Sequence, residues 1–422
     1  MSADWSNNRM SLIVKGLNIR SDGGYEIAEI HTDPNHQEAE STQLLALINA
    51  LDAKMKNKQI VVPDQETIEK RKLLKTIGEY VDEKMMKKEW TEKTKIETMG
   101  VFDVFIKIIG DLDVSAINKK IVDGYFEKLQ KLPPNLNKNP VWKNKSIEDI
   151  LKANPKPMEI NTINKHASRL CSFFNWMKRL EYVKLNYFDG MQVKNNKKAN
   201  EQRCVFTSDD LKKIFSSSIF AENVHLHPYY YWLPLIALYT GARIEEICQL
   251  DIKDIRMEGA VWVFDINDIA DTDNNSATVN KKLKTTNSVR LVPIHEELIR
   301  FGLLKYVEQL KENGHRRLFP ELKRGRDGYS QAASKWFARY LNTLGITDRL
   351  EVFHSFRHTF MNFLKQIFTD INIINELVGH EHGSIALDRY GKQYAASALC
   401  NAIHKLNFRD ETANVKCFQI KA

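Results

Sequence analysis

The sequence predicts a mainly α (α+β) protein, with an all-helical domain followed by a mixed, mostly helical domain holding a small antiparallel β-sheet. Three observations lead there. Between about residues 71 and 183, four successive stretches repeat apolar residues at i, i+3 and i+4, the spacing of one buried helix face. Beyond residue 70, β-rich runs are confined to GAVWVFDI and VRLVPI, both in the second half of the chain. A polar, basic run with few apolar residues, 194–204, separates the two patterns and reads as a linker.

Residues 1–70 form an N-terminal extension of unknown role. In it SLIVKGLNIR suits a strand, DGGY a turn, HTDPNHQEAEST a polar loop, and 42–55 a helix. The helical domain spans 71–193 and comprises KTIGEYVDEKMMKKEW, TMGVFDVFIKIIG, NKKIVDGYFEKLQKL and INTINKHASRLCSFFNWMKRLEYV. The last of these lines Ile163, Ala167, Leu170, Phe174 and Met177 along one side, with Lys165, Arg169 and Lys178 elsewhere. Residues 132–158, rich in Pro and Asn, read as a polar connection with one short helix.

The mixed domain spans 205–410. Thr207 or Ser208 followed by Asp209 and Asp210 marks a helix start, because acids in a first turn meet the positive end of the helix dipole. WLPLIALYTGARIEEICQL is an apolar helix interrupted at Thr240-Gly241 and resumed at Ala242. The segment KKLKTTNSV suits a hairpin turn at Thr286-Asn287-Ser288. Helices are expected at about 296–312, 330–343, 354–368 and 371–379, with a final one near 395–408 and a tail at 411–422.

Composition narrows the function classes. No run of about 18 apolar residues is present, so a membrane-spanning helix is not expected, and the first residues lack the pattern of a signal peptide. Five scattered cysteines, never in CxxC, read as reduced thiols of a cytoplasmic protein without a zinc knuckle. The net charge of +8 is uneven: residues 71–200 hold 26 Lys and Arg against 16 Asp and Glu, whereas residues 1–70 hold 7 against 11. A basic middle segment suits a polyanion such as DNA, and equally a solvated lysine-rich surface.

Four segments of the mixed domain carry polar groups that a packed core would not select. Arg243 and Glu246 in TGARIEEICQL share a helix face at i, i+3. Lys284 follows Leu283 in the hairpin segment. His354, Arg357 and His358 in HSFRHTFMNFLKQIF flank a stripe of Phe353, Phe356, Phe360 and Phe363. VGHEHGSIALDRYGK supplies His380, His382 and Tyr390. Two arginines, a lysine, histidines and a tyrosine suit metal-free attack on a phosphodiester. Guanidiniums bind the non-bridging oxygens, tyrosine is a nucleophile that leaves a covalent ester, and lysine or histidine protonates the departing alkoxide.

At these residues the sequence resembles the tyrosine recombinase (phage integrase) family, whose boxes are matched in order by TGARIEE, LKTTNSVRLVP, HSFRH, VGH and LDRYGK. The resemblance extends over about residues 71–410, since SFFNWMKRLEYVKLNYF is similar to the end of that family's core-binding domain. It implies a site-specific DNA recombinase that cleaves and rejoins strands through a 3′-phosphotyrosyl link, without ATP or a metal cofactor. Arg243 and Arg357 would clamp the phosphate, Lys284 would be the general acid, and His354 would assist proton transfer at Tyr390, the nucleophile. His380 would hydrogen-bond the phosphate, and Glu246 would orient an arginine or histidine. The implied partners are double-stranded DNA attachment sites, three further copies in a synaptic homotetramer and DNA-bending accessory proteins, at the nucleoid and not at a membrane. The last helix is of the kind that this family exchanges between protomers. The interval from His380 to Tyr390 is one residue longer than the family's usual spacing, and Tyr394 is the competing nucleophile.

Each residue also has a plainer reading. Arg243 and Glu246 alone make an ordinary intrahelical pair, and Lys281 or Lys282 is easily confused with Lys284. His354 and His358 at i, i+4 match a zinc pair, but no HExxH glutamate is present and Arg357 between them would repel a cation. His358 fits best as a support for its own helix. Periodicity alone leaves a metal site and a buried polar cluster open, and only the ordered set of boxes decides against them. The alternatives are a chromosome-dimer or integron-type recombinase, a type IB topoisomerase, a catalytically silent DNA-binding regulator, and a zinc hydrolase.

Overall fold

Three of the helix starts in the first half of the chain are set by short polar side chains that cap orphan backbone amides. Thr91 Oγ1 accepts from Thr94 N at 3.2 Å, Asn118 Oδ1 from Ile121 N at 3.2 Å, and Ser146 Oγ from Asp149 N at 3.1 Å. In the computed structural model, residues 71–195, 204–269, 281–283, 285–381 and 393–419 are described, with short stretches between 13 and 49. The chain forms two compact units, Met1–Lys194 and Asn195–Ala422.

In the first unit the described N-terminal stretches form two antiparallel pairs. β1 (Ile13–Lys15) lies against β4 (Glu29–His31), and β2 (Asn18–Ile19) against β3 (Tyr25–Glu26). The described residues between 41 and 49 are helical, as expected. The helices that follow are α1 (Leu73–Met86), α2 (Glu92–Ile109), α3 (Lys119–Leu129), the short α4 (Ile147–Lys152) and α5 (Ile160–Arg179). Their apolar faces meet around Tyr80, Phe102, Phe105, Tyr125, Phe173 and Phe174, each almost fully buried. α5 buries Ile163, Ala167, Leu170, Phe174 and Met177, the side read from its periodicity. It also buries His166, whose Nδ1 lies 3.1 Å from the Tyr125 hydroxyl.

The second unit opens with α6 (Ser208–Phe215). Its cap is Thr207, with Asp210 N donating to Thr207 Oγ1 at 3.1 Å and Thr207 N to Asp210 Oδ2 at 3.0 Å. After the single turn α7 (Ser218–Ala221) comes α8 (Pro228–Thr240), buried on nearly every side and therefore the central helix of this unit. α9 (Ile244–Cys248) resumes after the break at Gly241. The sheet has three antiparallel strands in the order β5 (Ile255–Glu258), β6 (Val261–Ile266), β7 (Arg290–Pro293). Then follow α10 (Glu296–Arg300), α11 (Leu303–Glu312), α12 (Ser330–Thr343), α13 (Ser355–Gln366), α14 (Ile371–Val378) and α15 (Ala396–Ile403).

Four features differ from the sequence reading. β5 was not foreseen, because only Ile255 of its four residues is buried and the strand lacks an apolar alternation. The segment Thr286–Ser288 is a 3₁₀ turn leading into β7, and β6 is the strand that β7 pairs with, Ile266 opposite Arg290. The helix expected over 296–312 is split at Gly302, whose φ of +96° favours glycine and where a Cβ would stand a tight 3.0 Å from Cys417 Sγ. Residues 411–419, read as a tail, lie against the core of this unit: Phe418 N donates to Phe301 O at 2.9 Å, and Tyr231 OH to Lys416 O at 2.5 Å.

Candidate active site

The geometry begins at the break between α8 and α9. α8 ends because Thr240 Oγ1 turns back on Ile236 O at 2.6 Å and Gly241 adopts the left-handed region, φ +62°. The turn places Arg243 at the start of α9 with its side chain over Glu246. Arg243 N donates to Glu246 Oε2 at 2.9 Å, and Arg243 NH1 to Glu246 Oε1 at 2.7 Å. Arg243 keeps 21% of its side chain exposed, whereas Glu246 keeps 4%. The adjacent Glu245 has a different task, since it accepts from Tyr329 N and Ser330 N, both at 2.8 Å, and so caps α12 from a distance.

A third cation completes the cluster from β7. Arg290 NH2 donates to Glu246 Oε2 at 2.9 Å, its NH1 to Ser288 O at 2.8 Å, and its Nε to Leu377 O at 2.7 Å. Arg357, on the first turn of α13, lies close enough to repel Arg243 and Arg290 and to be attracted by Glu246. Its NH1 donates to Gly241 O at 2.9 Å and its NH2 to Val378 O at 2.5 Å. The guanidinium thereby closes the carboxyl ends of α8 and α14, where the helix dipoles present negative charge.

The electrostatics follow from this packing. Burial pushes the Glu246 carboxyl up, but the charge and hydrogen bonds of Arg290 and Arg243 outweigh it and hold the group at about 2. Burial lowers Arg357 to about 9, and the two neighbouring arginines add to the shift. Three guanidiniums around one buried carboxylate leave an uncompensated positive charge, the field in which an oxyanion binds.

The structure brings Arg243, Glu246 and Arg357 of the expected set into one cluster. His380 follows Gly379, and a Cβ on Gly379 would come within 3.0 Å of Asn287 O and 3.1 Å of Arg290 NH1, so this segment sits directly on the turn before β7. His354 precedes α13, and its ring lies edge-on to that of His358, with centroids 4.8 Å apart. Lys284 and Tyr390, together with His382, lie outside the described residues. Gln393, three positions after Tyr390, donates from Nε2 to Val289 O at 2.9 Å, beside Arg290. The competing Tyr394 is 38% exposed. Lys281 is buried against Asp254 Oδ2 at 2.6 Å and Asp251 Oδ2 at 3.2 Å, which fixes it as a structural cation. Among the described residues no cluster of three or more His, Cys, Asp or Glu could hold a metal ion, and no helix is long and apolar enough to cross a membrane.

The residue that sequence reasoning passed over is Arg290. Its signal lay in VRLVP, where Arg290 and Val292 both occupy buried strand positions and Leu291 between them does not. A charged residue at a buried strand position requires a partner, and here that partner is Glu246.

An α+β unit with a guanidinium cluster at the junction of a central helix, a three-stranded sheet and two further helices, preceded by a helical unit, defines the integrase fold. Residues 204–396 match the model of the phage integrase family. A tyrosine recombinase, XerA of Pyrococcus horikoshii, is 27% identical over 192 residues, which is 45% of this chain and 57% of that protein's own length. Among solved structures, a lambda integrase dimer bound to a COC′ core site is similar at a TM-score of 0.51 and 15% identity, covering 92% of this chain and 98% of that one. The Tn1549 transposon integrase in complex with circular intermediate DNA is similar at a TM-score of 0.51 and 16% identity, covering 77% and 98%. At these identities the likeness establishes the fold.

Proposed function

We propose that the protein is a site-specific DNA recombinase, an integrase that cuts and rejoins duplex DNA at the boundary of a phage, plasmid or genomic island. The observation that carries this reading is the convergence of Arg243 and Arg357 on one buried carboxylate, in a domain of the phage integrase family. In the proposed mechanism the two guanidiniums hold the non-bridging oxygens of the scissile phosphate and follow their charge into the pentacovalent transition state. The Tyr390 hydroxyl attacks phosphorus as its proton passes to His354, forming the phosphotyrosyl bond. The bond to the 5′ oxygen breaks, and Lys284 protonates that oxygen. His380 donates to the phosphate. A 5′ hydroxyl from a partner strand then reverses the step, so the ester's energy is conserved and neither ATP nor a metal ion is required. The working assembly is a tetramer on two attachment sites.

The test is a suicide duplex built on the direct repeats that flank the encoding element, incubated with the protein in EDTA. A covalent protein–DNA adduct is expected from the wild type and from Tyr394→Phe, and none from Tyr390→Phe. Adduct formation by Tyr390→Phe but not by Tyr394→Phe would reassign the nucleophile. Duplex binding without an adduct would make the protein a silent regulator, and activity that EDTA abolishes would point to metal chemistry.

A further inference from the structure

We propose that Arg290 is a positioning residue for strand cleavage, tying three separate segments of the site into one rigid anion seat. The inference rests on the phosphate-clamp reading above and extends it to a side chain that does not reach the phosphate. All three of its guanidinium nitrogens donate to protein acceptors: Nε to Leu377 O at 2.7 Å, NH1 to Ser288 O at 2.8 Å and NH2 to Glu246 Oε2 at 2.9 Å. Only 1% of its side chain is exposed. Each acceptor belongs to a different piece of the site. Glu246 orients Arg243 through its other oxygen, Ser288 closes the turn four residues after Lys284, and Leu377 lies three residues before His380. These pieces lie 44 and 87 residues from Arg290 at Glu246 and Leu377, and besides Arg290 only a long contact, Arg243 NH1 to Ser288 Oγ at 3.4 Å, is described between the Glu246 turn and Ser288.

The geometry explains why arginine is required. A planar fork with separately directed N–H groups satisfies three acceptors in fixed directions, which the single ammonium of lysine does not reproduce. The fit is also tight, since a Cβ on Gly379 would stand 3.1 Å from Arg290 NH1. The glycine before His380 is therefore matched to the arginine beneath it.

Electrostatics supply a signature that a purely structural role would lack. Glu246 is faced by Arg243 from its own turn, Arg290 from β7 and Arg357 from α13, while Asp254, Asp265 and Lys281 line the small cavity on its other side. Burial alone would raise the carboxyl, and Arg290 is its strongest counterweight. Without that cation the carboxyl is protonated at higher pH and its grip on Arg243 fails from the acid side.

Cleavage of the suicide duplex by wild type, Arg290→Gln and Arg290→Lys tests this, with duplex affinity and thermal stability measured in parallel. Arg290→Gln is expected to bind duplex within about twofold of wild type and to cleave about 100-fold more slowly, the scale of an ångström misplacement. Its rate relative to wild type should fall further as the pH is lowered from about 8 to about 5, because Glu246 now titrates. Arg290→Lys should remove that pH trend without restoring the full rate. Wild-type cleavage by Arg290→Gln, or a rate loss that tracks only the unfolded fraction at every pH, overturns the proposal.

If Arg290→Gln does not fold, the paired Arg290→Met/Glu246→Gln variant removes both buried charges together. That variant should fold and cleave slowly, and wild-type cleavage by it sinks the idea. A wild-type chain that forms no adduct defeats the proposed function instead. Amide exchange at residues 378–380 then still decides the anchoring: at least about tenfold faster exchange in Arg290→Lys supports it, and unchanged protection rejects it.

Discussion

Arg357 shows how a single residue is prepared for an anion. Buried, and repelled by Arg243 and Arg290, it is held cationic at neutral pH only at a cost, visible as its lowering to about 9. In the proposed function, a phosphate arriving at the cluster would offset that cost, so that charge burdening the free protein would become binding energy. His166 illustrates the opposite case. Burial lowers it to about 4, so it is neutral at pH 7 and bonded to the Tyr125 hydroxyl. The unfolded chain takes up this proton below about 6.5 while the folded chain resists until about 4. Stability is therefore lost as the pH falls through that window, by roughly 3 kcal/mol in all. Relative to wild type, His166→Gln should gain stability between pH 7 and pH 4.5 in urea melts; a constant difference would show that the histidine is protonated in the fold.

Among the elements, the junction of α8 and α9 is the most constrained. Gly241 combines a φ of +62° with a position where a Cβ would stand 2.5 Å from Phe360 Cδ1. Phe360 belongs to the same α13 stripe that carries Arg357 at its edge, so the glycine sets how closely α13 approaches the Arg243 turn. Gly241→Ala should cost about 2–4 kcal/mol from backbone strain and overpacking together. Calorimetry of the second unit's transition measures this, and a cost under about 0.5 kcal/mol would mean that α13 shifts freely. Both partners sit in segments that the sequence marked, TGAR and the phenylalanine stripe. Their contact was not legible, because it joins residues more than a hundred positions apart.

At the scale of the molecule, each unit carries its own core, and the second is closed by the chain's last described residues. Phe418 packs against His225, Tyr231, Trp232 and Tyr306, with ring centroids 5.0–5.2 Å apart. The segment is further held by Lys416 N donating to Phe220 O at 3.0 Å and by Asn223 Nδ2 donating to Cys417 O at 3.1 Å. Removing this aromatic side chain deletes buried surface and leaves a cavity. Phe418→Ala should therefore lower the stability of the second unit by about 3–4 kcal/mol. A urea midpoint that does not move would show that the segment is dispensable to the core. Since α15 lies immediately upstream of this docked segment, its attachment to its own chain is part of what the unit's stability measures.

Local chemistry determined much of this protein. The period of the apolar residues placed the helices, Thr207 or Ser208 followed by Asp209 and Asp210 marked a helix start, and the order of the five boxes marked out the candidate site. Those signals are readable because caps and amphipathic faces act within a turn or two of chain. Tertiary structure alone decided which carboxylate serves which cation, that Lys281 is locked away while Arg290 anchors the site, and that the final residues fold back into the core. These outcomes depend on burial and on partners 44, 87 and 116 residues apart, brought within 3 Å by the packing of the whole unit. No periodicity within one segment carries that information.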